Sequence, residues 1–414
     1  MIAAGGRRPL ANASTQRRHK PDYWLLIMSI LLLSVGLIVV YAISPGLSAL
    51  KQVSENYYVG KQLIAILLGM AAFIVTANVP IHWWRKAERP LLYAAAGASI
   101  AVRLVGERVN GAYRWIQVGG LSFQAAELIK FALLIWLAGF LNDRLRQGNL
   151  ADYKESFRPL LIALGVIALV VAKLQSDLGS TGVMVMIMAT MVFVVGLPLR
   201  RLATIGLVVF IGTALLVSST AYRRQRLTTF LHPTSDCQAS GYQACQALIA
   251  VGSGGLTGYG IANGVQAYGY LPEAANDSIF AILAEKFGFI GVSVLLALFV
   301  AFFARLRSII EKAPDSYSQL LVVGVLAWLS TQVIINVGAM IGLLPLKGIT
   351  LPFISYGGTS LVFILAAVGI AFQVSRYTSY GRQVINQTDE SKTNDHSTRG
   401  RRFRGAYHPG AGHR

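Results

Sequence analysis

Three carboxylates lie close together where a long, partly polar segment meets an apolar run. Asp277 opens the run, Glu273 lies four residues before it and Glu285 lies eight residues after it. A partly desolvated carboxylate near other acids binds its proton more tightly than a solvated one. That property suits a general base, which must be ionised and yet able to accept a proton. Asp277 is therefore a candidate catalytic base, and the alternative is that it only caps the following helix.

A second group of charges lies inside an apolar run. Glu127 and Lys130 are three residues apart, so on a helix they share one face. Ionisable side chains within a membrane span are costly, which makes them functional candidates. Two roles remain open for this pair: binding of a charged substrate, or neutralisation of each other as a structural ion pair.

Cationic side chains accompany these acids in segments that interrupt the apolar runs. Arg114 and Trp115 lie between two runs, and Lys347 lies among prolines and glycines before the last run. Arginine holds phosphate through paired hydrogen bonds, and an adjacent aromatic ring could aim it. The alternatives are an ordinary Arg/Trp pair at the membrane surface and a plain loop around the lysine.

Other motifs exclude some chemistry and leave some open. The run Gly252–Gly260 fits neither a P-loop nor a dinucleotide fingerprint, and it is predicted to form tight turns beside a wet cavity. No histidine pair has a zinc-like spacing, and the metal requirement is unknown. Cys237 and Cys245 could form a disulfide in an oxidising compartment, which the sequence does not decide. Asp177 is expected to cap a helix.

The composition indicates what must position these residues, namely a set of membrane-spanning helices. Hydrophobic residues make up 54% of the 414 residues. Charged residues make up 13%, about half the fraction in a soluble protein. Runs of roughly 20 apolar residues cross the bilayer as helices, which satisfy their own backbone. The predicted fold is an all-α integral membrane protein with ten transmembrane helices. The predicted spans are 23–43, 61–79, 90–105, 123–141, 158–173, 179–197, 201–220, 277–304, 317–343 and 354–375.

The distribution of lysine and arginine predicts the orientation, because these residues accumulate on the cytoplasmic side. It places two basic tails in the cytoplasm, 1–22 before the membrane domain, 23–376, and 377–414 after it. The second tail is predicted to be disordered. The long loop 221–276, between helices 7 and 8, then lies outside. The net charge of +19 follows this topology and does not indicate nucleic acid. Contact of the tail with anionic lipid or a cytoplasmic partner is the alternative to a solvated tail.

Several stretches together resemble the SEDS family of FtsW and RodA proteins over residues 23–376. They are Ser240-Gly-Tyr-Gln, the Gly252–Gly260 run, Leu271-Pro-Glu with Asp277 and Ile279-Phe280, Ala284-Glu285 with Gly288-Phe-Ile-Gly291, and Pro345-Leu-Lys-Gly-Ile-Thr-Leu-Pro-Phe-Ile-Ser-Tyr-Gly-Gly358. The Lys-Gly-Ile-Thr-Leu-Pro form is closer to FtsW, the division member, than to RodA. The chain departs from the family at Ala125-Ala126, where Pro-Ser is usual, and at Lys286, where a glutamate is usual.

The resemblance implies a glycosyltransferase that polymerises lipid II outside the cytoplasmic membrane. It also implies a class B penicillin-binding protein and other division proteins as partners. The family's essential acid carries over to Asp277 and its Arg-Trp stretch to Arg114-Trp115. Its Gln-x-x-Glu stretch carries over to Gln124–Glu127, followed by Lys130. Asp277 is thus the predicted catalytic residue, and the predicted substrate-binding residues are Arg114, Trp115, Glu127, Lys130, Glu273 and Lys347.

Three points stay open at this stage. A divalent cation, Mg²⁺ or Mn²⁺, could replace or assist the basic residues at the diphosphate of the substrate. The chain could be an elongation-type polymerase of the RodA kind. It could also transport lipid II, because broken helices and intramembrane charges occur in transporters. Another alternative is a scaffold that only recruits division proteins.

Overall fold

The computed structural model describes most of the chain between Arg17 and Thr378. The described residues are 17–18, 20–109, 112–118, 121–150, 152–218, 221–232, 237–239, 241–261 and 263–378. Most of the two predicted tails, 1–22 and 377–414, therefore lies outside the described residues.

Helices form most of the described part of the chain. They are α1 (Tyr23–Lys51), α2 (Tyr57–Asn78), α3 (Ile81–Val105), α4 (Ala125–Gln147), α5 (Tyr153–Leu174, π-helical at both ends), α6 (Leu178–Val195), α7 (Leu199–Ser218), α8 (Ala221–Leu231), α9 (Tyr242–Ser253), α10 (Ile279–Lys312), α11 (Ser316–Met340) and α12 (Gly358–Val374). Several helices extend beyond the predicted spans. Hydropathy marks the apolar centre of a helix and not its polar ends, so α1 continues to Lys51 and α3 begins at Ile81.

Ten of these helices coincide with the ten predicted spans. Seven of them (α1, α2, α4, α5, α6, α10 and α11) are long and apolar enough to cross a membrane by length and composition. The other three predicted spans fall on α3, α7 and α12. Of these, α3 carries charged residues in its first turns and α12 has 17 residues. The ten-helix membrane fold, with a long segment between spans seven and eight, is thus confirmed.

The all-α prediction missed the strand pair Arg17–Arg18 with Tyr377–Thr378 and, between α3 and α4, a small antiparallel sheet. Its strands, Glu107–Val109, Ala112–Val118 and Leu121–Gln124, pair in chain order. The sequence did carry a signal, because Gly119 and Gly120 follow a stretch rich in aromatic and β-branched residues, as in a hairpin. The strands are short, so they did not stand out beside the long apolar runs. This sheet is called the hairpin sheet below.

The centre of the bundle is formed by α4, α11 and α12. In the apolar windows of α4 and α11, 78% and 72% of the residues are buried, against 28% in α2 and 22% in α10. Lipid tails are as apolar as leucine, so helices associate in a membrane through close packing and hydrogen bonds. Gly369 of α12 shows such packing, because a Cβ atom there would lie 2.7 Å from the carbonyl oxygen of Phe73 in α2.

Polar contacts bring the start of α1 and the ends of α10 and α12 to one face of the bundle, called here the terminal face. Asp22 accepts a hydrogen bond of 2.6 Å from Arg305 of α10. The backbone N–H of Asp22 donates to Ser375 Oγ, directly after α12. Because α10 starts at the other end of the bundle, Asp277 lies on the opposite face, called here the cavity face.

The glycine run packs against a break in α10. Gly288 interrupts this helix with φ +63°, and the backbones of residues 255–260 and 285–290 exchange four hydrogen bonds of 2.9 to 3.0 Å. Gly258 has φ +76°, and a Cβ atom there would clash with the backbone of Lys286. Glycine is required because two stretches of backbone touch here. This agrees with the predicted tight turns.

The contact between α2 and α12 generates a stability prediction. Gly369→Ala should lower the thermal midpoint of the purified protein, because the added methyl group meets backbone and overpacking costs about 1–3 kcal/mol. Gly97→Ala in α3 is the matched control, since nothing lies within 4 Å of its Cβ position. The control should keep or raise the midpoint. Equal midpoints for Gly369→Ala and wild type would contradict the tight packing.

Candidate active site

A cavity of about 1210 Å³ opens on the cavity face. Its walls come from the turn between α1 and α2, the hairpin sheet, the segment before α6, α8, α9 and the segments before α10 and α12. Five predicted site residues line it together: Arg114, Trp115, Glu273, Asp277 and Lys347. Residues more than 230 positions apart in sequence thus meet at one site.

The backbone around Asp277 is held from two sides. The side-chain amide of Asn336, in α11, donates to the carbonyl oxygens of Asp277 and Ile349, both at 2.7 Å. Ser355 Oγ donates to the carbonyl of Asn276 at 2.6 Å. Asp277 itself does not cap α10, because Ser278 occupies the N-cap position. The capping alternative is therefore wrong for Asp277, and its carboxylate is left for the cavity.

The electrostatic environment of Asp277 suits a base near neutral pH. Its Oδ1 atom is buried and has no hydrogen-bond partner among the described residues. Burial is the main cause that raises the pKa of Asp277, the charge of Glu273 also raises it and Arg226 lowers it, and the resulting pKa is about 7. A carboxyl group with such a pKa is ionised at pH 7 in a large fraction of molecules and still accepts a proton readily.

Glu285 has a different role from the one its spacing suggested. Its Oε1 accepts hydrogen bonds from the backbone N–H groups of Val265 and Gln266. The adjacent Lys286 donates to the carbonyls of Ile261 and Asn263. Both side chains therefore hold Ile261 and residues 263–266 against α10. Of the two predicted neighbours, Glu273 is the one whose charge acts on Asp277.

Arg114 links the hairpin sheet to the segment before α6. Its Nε and Nη2 atoms donate to the carbonyls of Gln175 and Ser176, at 3.1 and 2.5 Å. Asp177 then accepts from the backbone N–H and the hydroxyl of Ser180. The predicted capping role of Asp177 is thereby confirmed.

Two cations stand beside the acids of the cavity. Lys347 was predicted, whereas Arg226 of α8 counted in the sequence only as one basic residue of a loop. Arg226 donates to the carbonyl of Leu346, directly before Lys347, at 3.4 Å. A Cβ atom added at the next residue, Gly348, would lie 3.7 Å from Asp277 Oδ2. The cationic pair therefore adjoins the carboxylate.

The Glu127–Lys130 pair lies inside the bundle. These side chains are 3% and 1% exposed, and Lys130 Nζ donates to Glu127 Oε1 at 2.7 Å. The ammonium group also lies 5.3 Å from the ring centroid of Trp328. Three residues earlier, Gln124 lines the cavity. The geometry shown is that of the structural ion pair, and binding of substrate by these two residues stays a prediction.

Comparison with known proteins identifies the family. The sequence profile of the FtsW, RodA and SpoVE family of cell cycle proteins matches residues 23–380. The chain belongs to this family. It is 39% identical over 370 residues to Stage V sporulation protein E of Bacillus subtilis (strain 168), which covers 88% of this chain and 100% of that protein. It is 38% identical over 362 residues to the probable peptidoglycan glycosyltransferase FtsW of Coxiella burnetii, covering 86% of this chain and 96% of that one.

Solved structures of similar proteins support the fold. The rod shape determining protein RodA of Thermus thermophilus is 28% identical, with a TM-score of 0.63 over 86% of this chain and 97% of that one. A second similar chain comes from work on the structural coordination of polymerization and crosslinking by a peptidoglycan synthase complex. It is also 28% identical, with a TM-score of 0.68 over 86% of this chain and 98% of that one.

A disulfide bond holds α9, which forms part of the cavity wall. Cys237 and Cys245 are bonded to each other, which decides the point that the sequence left open. The bond ties residues 237–239 to α9. Gln243 of α9 lines the cavity and donates to Ser278 Oγ at 3.2 Å, beside Asp277.

Proposed function

We propose that this chain is a peptidoglycan glycosyltransferase that polymerises lipid II, with Asp277 as the general base. The observation that carries the proposal is the cavity in which a carboxylate with a pKa of about 7 adjoins Arg226 and Lys347. A base next to fixed cations is what a transfer with a diphosphate leaving group needs. The FtsW relative of Coxiella burnetii, a probable peptidoglycan glycosyltransferase, supports the same activity.

The proposed reaction joins two lipid-linked disaccharides in one displacement. The 4-hydroxyl oxygen of the acceptor sugar forms a bond to the anomeric carbon of the donor, and its proton passes to Asp277. The bond from that carbon to the diphosphate oxygen breaks, and undecaprenyl diphosphate leaves. Inversion at the anomeric carbon needs one base and no covalent intermediate. Arg226, Lys347 and Arg114 offset the charge that develops on the diphosphate.

The orientation proposed for this reaction places the cavity face outside the cell. Arg85, Arg144 and Arg305 lie at the terminal face, in ion pairs with acids at the helix ends. A basic face is cytoplasmic by the positive-inside rule. We therefore propose a cytoplasmic-membrane protein with both termini inside the cell and lipid II bound at the outer surface.

The proposed biological role is cell division, with a class B penicillin-binding protein as partner. FtsW relatives reach 39% identity, whereas the RodA structure reaches 28%. The similar chain from a peptidoglycan synthase complex supports a partner that crosslinks the polymer. Lipid II transport is the rival function, and the placement of the charged cavity on one face favours polymerisation. In reconstituted vesicles, crossing of lipid II without glycan product would support transport.

The base assignment predicts the effect of one isosteric change. Asp277→Asn should lower the rate of polymerisation of labelled lipid II at least about 100-fold, the lower range for loss of a general base. Asp315→Asn is the control, because Asp315 precedes a helix on the terminal face and caps it. That variant should keep the wild-type rate. Normal polymer from Asp277→Asn, measured with the partner present, would exclude the assignment.

The neighbours of Asp277 predict opposite shifts in pH dependence. Protonated Asp277 cannot accept a proton, so kcat/KM should rise with pH through a midpoint near 7. This midpoint is the pKa of Asp277 in the free enzyme, because kcat/KM reports the groups of the enzyme without bound substrate. Glu273→Gln removes a negative neighbour and should move this midpoint to lower pH. Arg226→Gln removes a positive neighbour and should move it to higher pH. Shifts in the same direction would show that another group titrates.

We propose that a divalent cation assists the basic side chains at the diphosphate. Among the described residues there is no cluster of three or more His, Cys, Asp or Glu side chains that could hold a metal ion. Glu273 and the oxygens of a bound diphosphate would offer the hard oxygen ligands that Mg²⁺ or Mn²⁺ prefers, while Asp277 stays free to act as the base. When bound, the cation would offset diphosphate charge, as the basic residues do.

The metal proposal has a direct test. Removal of divalent cations with EDTA should lower the rate of polymerisation, and addition of Mg²⁺ or Mn²⁺ should restore it. An unchanged rate after EDTA would assign the diphosphate charge to the basic side chains alone.

A further inference from the structure

A second cationic group lines the cavity at the turn between α1 and α2. Lys61 Nζ donates to the hydroxyl oxygen of Tyr57 at 2.6 Å and lies 4.4 Å from the ring centroid of Tyr57. Lys51 Nζ lies 5.9 Å from the ring centroid of Tyr58. All four side chains line the cavity and are called the tyrosine–lysine corner here. The ring contacts and the hydrogen bond restrict two long side chains that would otherwise move freely.

Aromatic contacts connect the tyrosine–lysine corner to the segment before Asp277. The ring of Tyr58 packs on Tyr57 at 5.4 Å and on Tyr356 at 5.3 Å between centroids. The backbone N–H of Tyr356 donates to the carbonyl of Ala275, two residues before Asp277. The corner and the base therefore line the same cavity but come from different segments, which Tyr356 connects.

The charge balance at the corner favours an anionic ligand. The acidic residues among the described lining of the cavity are Asp177, Glu273 and Asp277, and each comes from another segment. Glu55, the acid of the same turn, is exposed and is not part of the described lining. The turn between α1 and α2 thus brings two lysines into the cavity and no carboxylate. Such a pair provides a site for a phosphate group.

The reaction itself requires a second place for a diphosphate. Donor and acceptor both carry one, but only the diphosphate of the donor leaves. Arg226 and Lys347 adjoin Asp277, where the donor bond breaks. The diphosphate of the acceptor lies at the far end of its disaccharide from the attacking hydroxyl, so it must be held away from the base.

We propose that the tyrosine–lysine corner is the subsite for the diphosphate of the acceptor, with Lys51 and Lys61 as its ligands. This rests on the proposed glycosyltransferase function and assigns the two cationic groups of the cavity to different substrates. Tyr57 is a positioning residue, because its hydroxyl group holds the ammonium group of Lys61.

The test separates the two substrates by blocking one hydroxyl. Lipid II capped with galactose on its 4-hydroxyl serves only as donor, so capped product reports transfer to ordinary lipid II as acceptor. The KM for each substrate is measured at saturating concentration of the other, with the full chain and its partner in nanodiscs. The Lys51→Gln/Lys61→Gln variant should raise the acceptor KM about tenfold or more, as loss of charge-assisted hydrogen bonds predicts. Its donor KM should change by no more than about twofold, which corresponds to about 0.4 kcal/mol of binding free energy.

Three controls make the result decisive. Lys312→Gln, an exposed lysine at the end of α10, should change neither KM. Lys61→Arg should retain most of the acceptor affinity, whereas Arg226→Gln should raise the donor KM. A rise of both KM values in the double lysine variant, or of neither, would overturn the subsite.

Two further outcomes separate this proposal from its alternatives. The phosphate group of an anionic lipid has the same chemistry as a diphosphate, so the measurement is repeated in nanodiscs of neutral lipid. A change of the acceptor KM that persists there supports the subsite, and a change that needs anionic lipid overturns it. Absence of any polymer from the wild-type protein would instead refute the proposed function itself.

Discussion

The side-chain amide of Asn336 donates two hydrogen bonds, to the carbonyl groups of Asp277 and Ile349. Both carbonyls belong to segments where helices have stopped, so neither has a partner within a helix. Buried backbone groups without partners are costly, above all in a membrane, where water is absent. One residue of the central helix α11 thus satisfies two irregular segments and fixes the floor of the cavity. The position of the catalytic candidate depends on this contact.

Charges of both signs act on Asp277 in the cavity. Asp277 lies between a carboxylate that raises its pKa and an arginine that lowers it, and burial keeps the pKa near neutral. A lone buried carboxylate would be protonated at pH 7, and one paired fully with a cation would be too weak a base. Two pairs of cations line the cavity, one at Arg226 and Lys347 and one at the tyrosine–lysine corner, and Arg114 lines it from the hairpin sheet.

Much of this architecture could be predicted from composition and pattern. Ten apolar runs predict ten helices because only helices satisfy an isolated backbone in lipid. Five of the seven predicted site residues line one cavity. Glu127 and Lys130 are the two that do not line it, and they form an ion pair inside the bundle. The hairpin sheet was missed because hydropathy does not report short strands outside the membrane.

By itself, the sequence determined the membrane class, the number of spans and the cationic and acidic residues available for a transfer reaction. These follow from local properties, since apolar length and charge are read along the chain. The tertiary structure alone decided that Asp277 leaves the N-cap to Ser278 and that Arg226 joins it. It also decided that Glu285 holds a loop. The reason is that burial, hydrogen-bond partners and electric fields depend on residues far away in sequence, which only folding brings within contact.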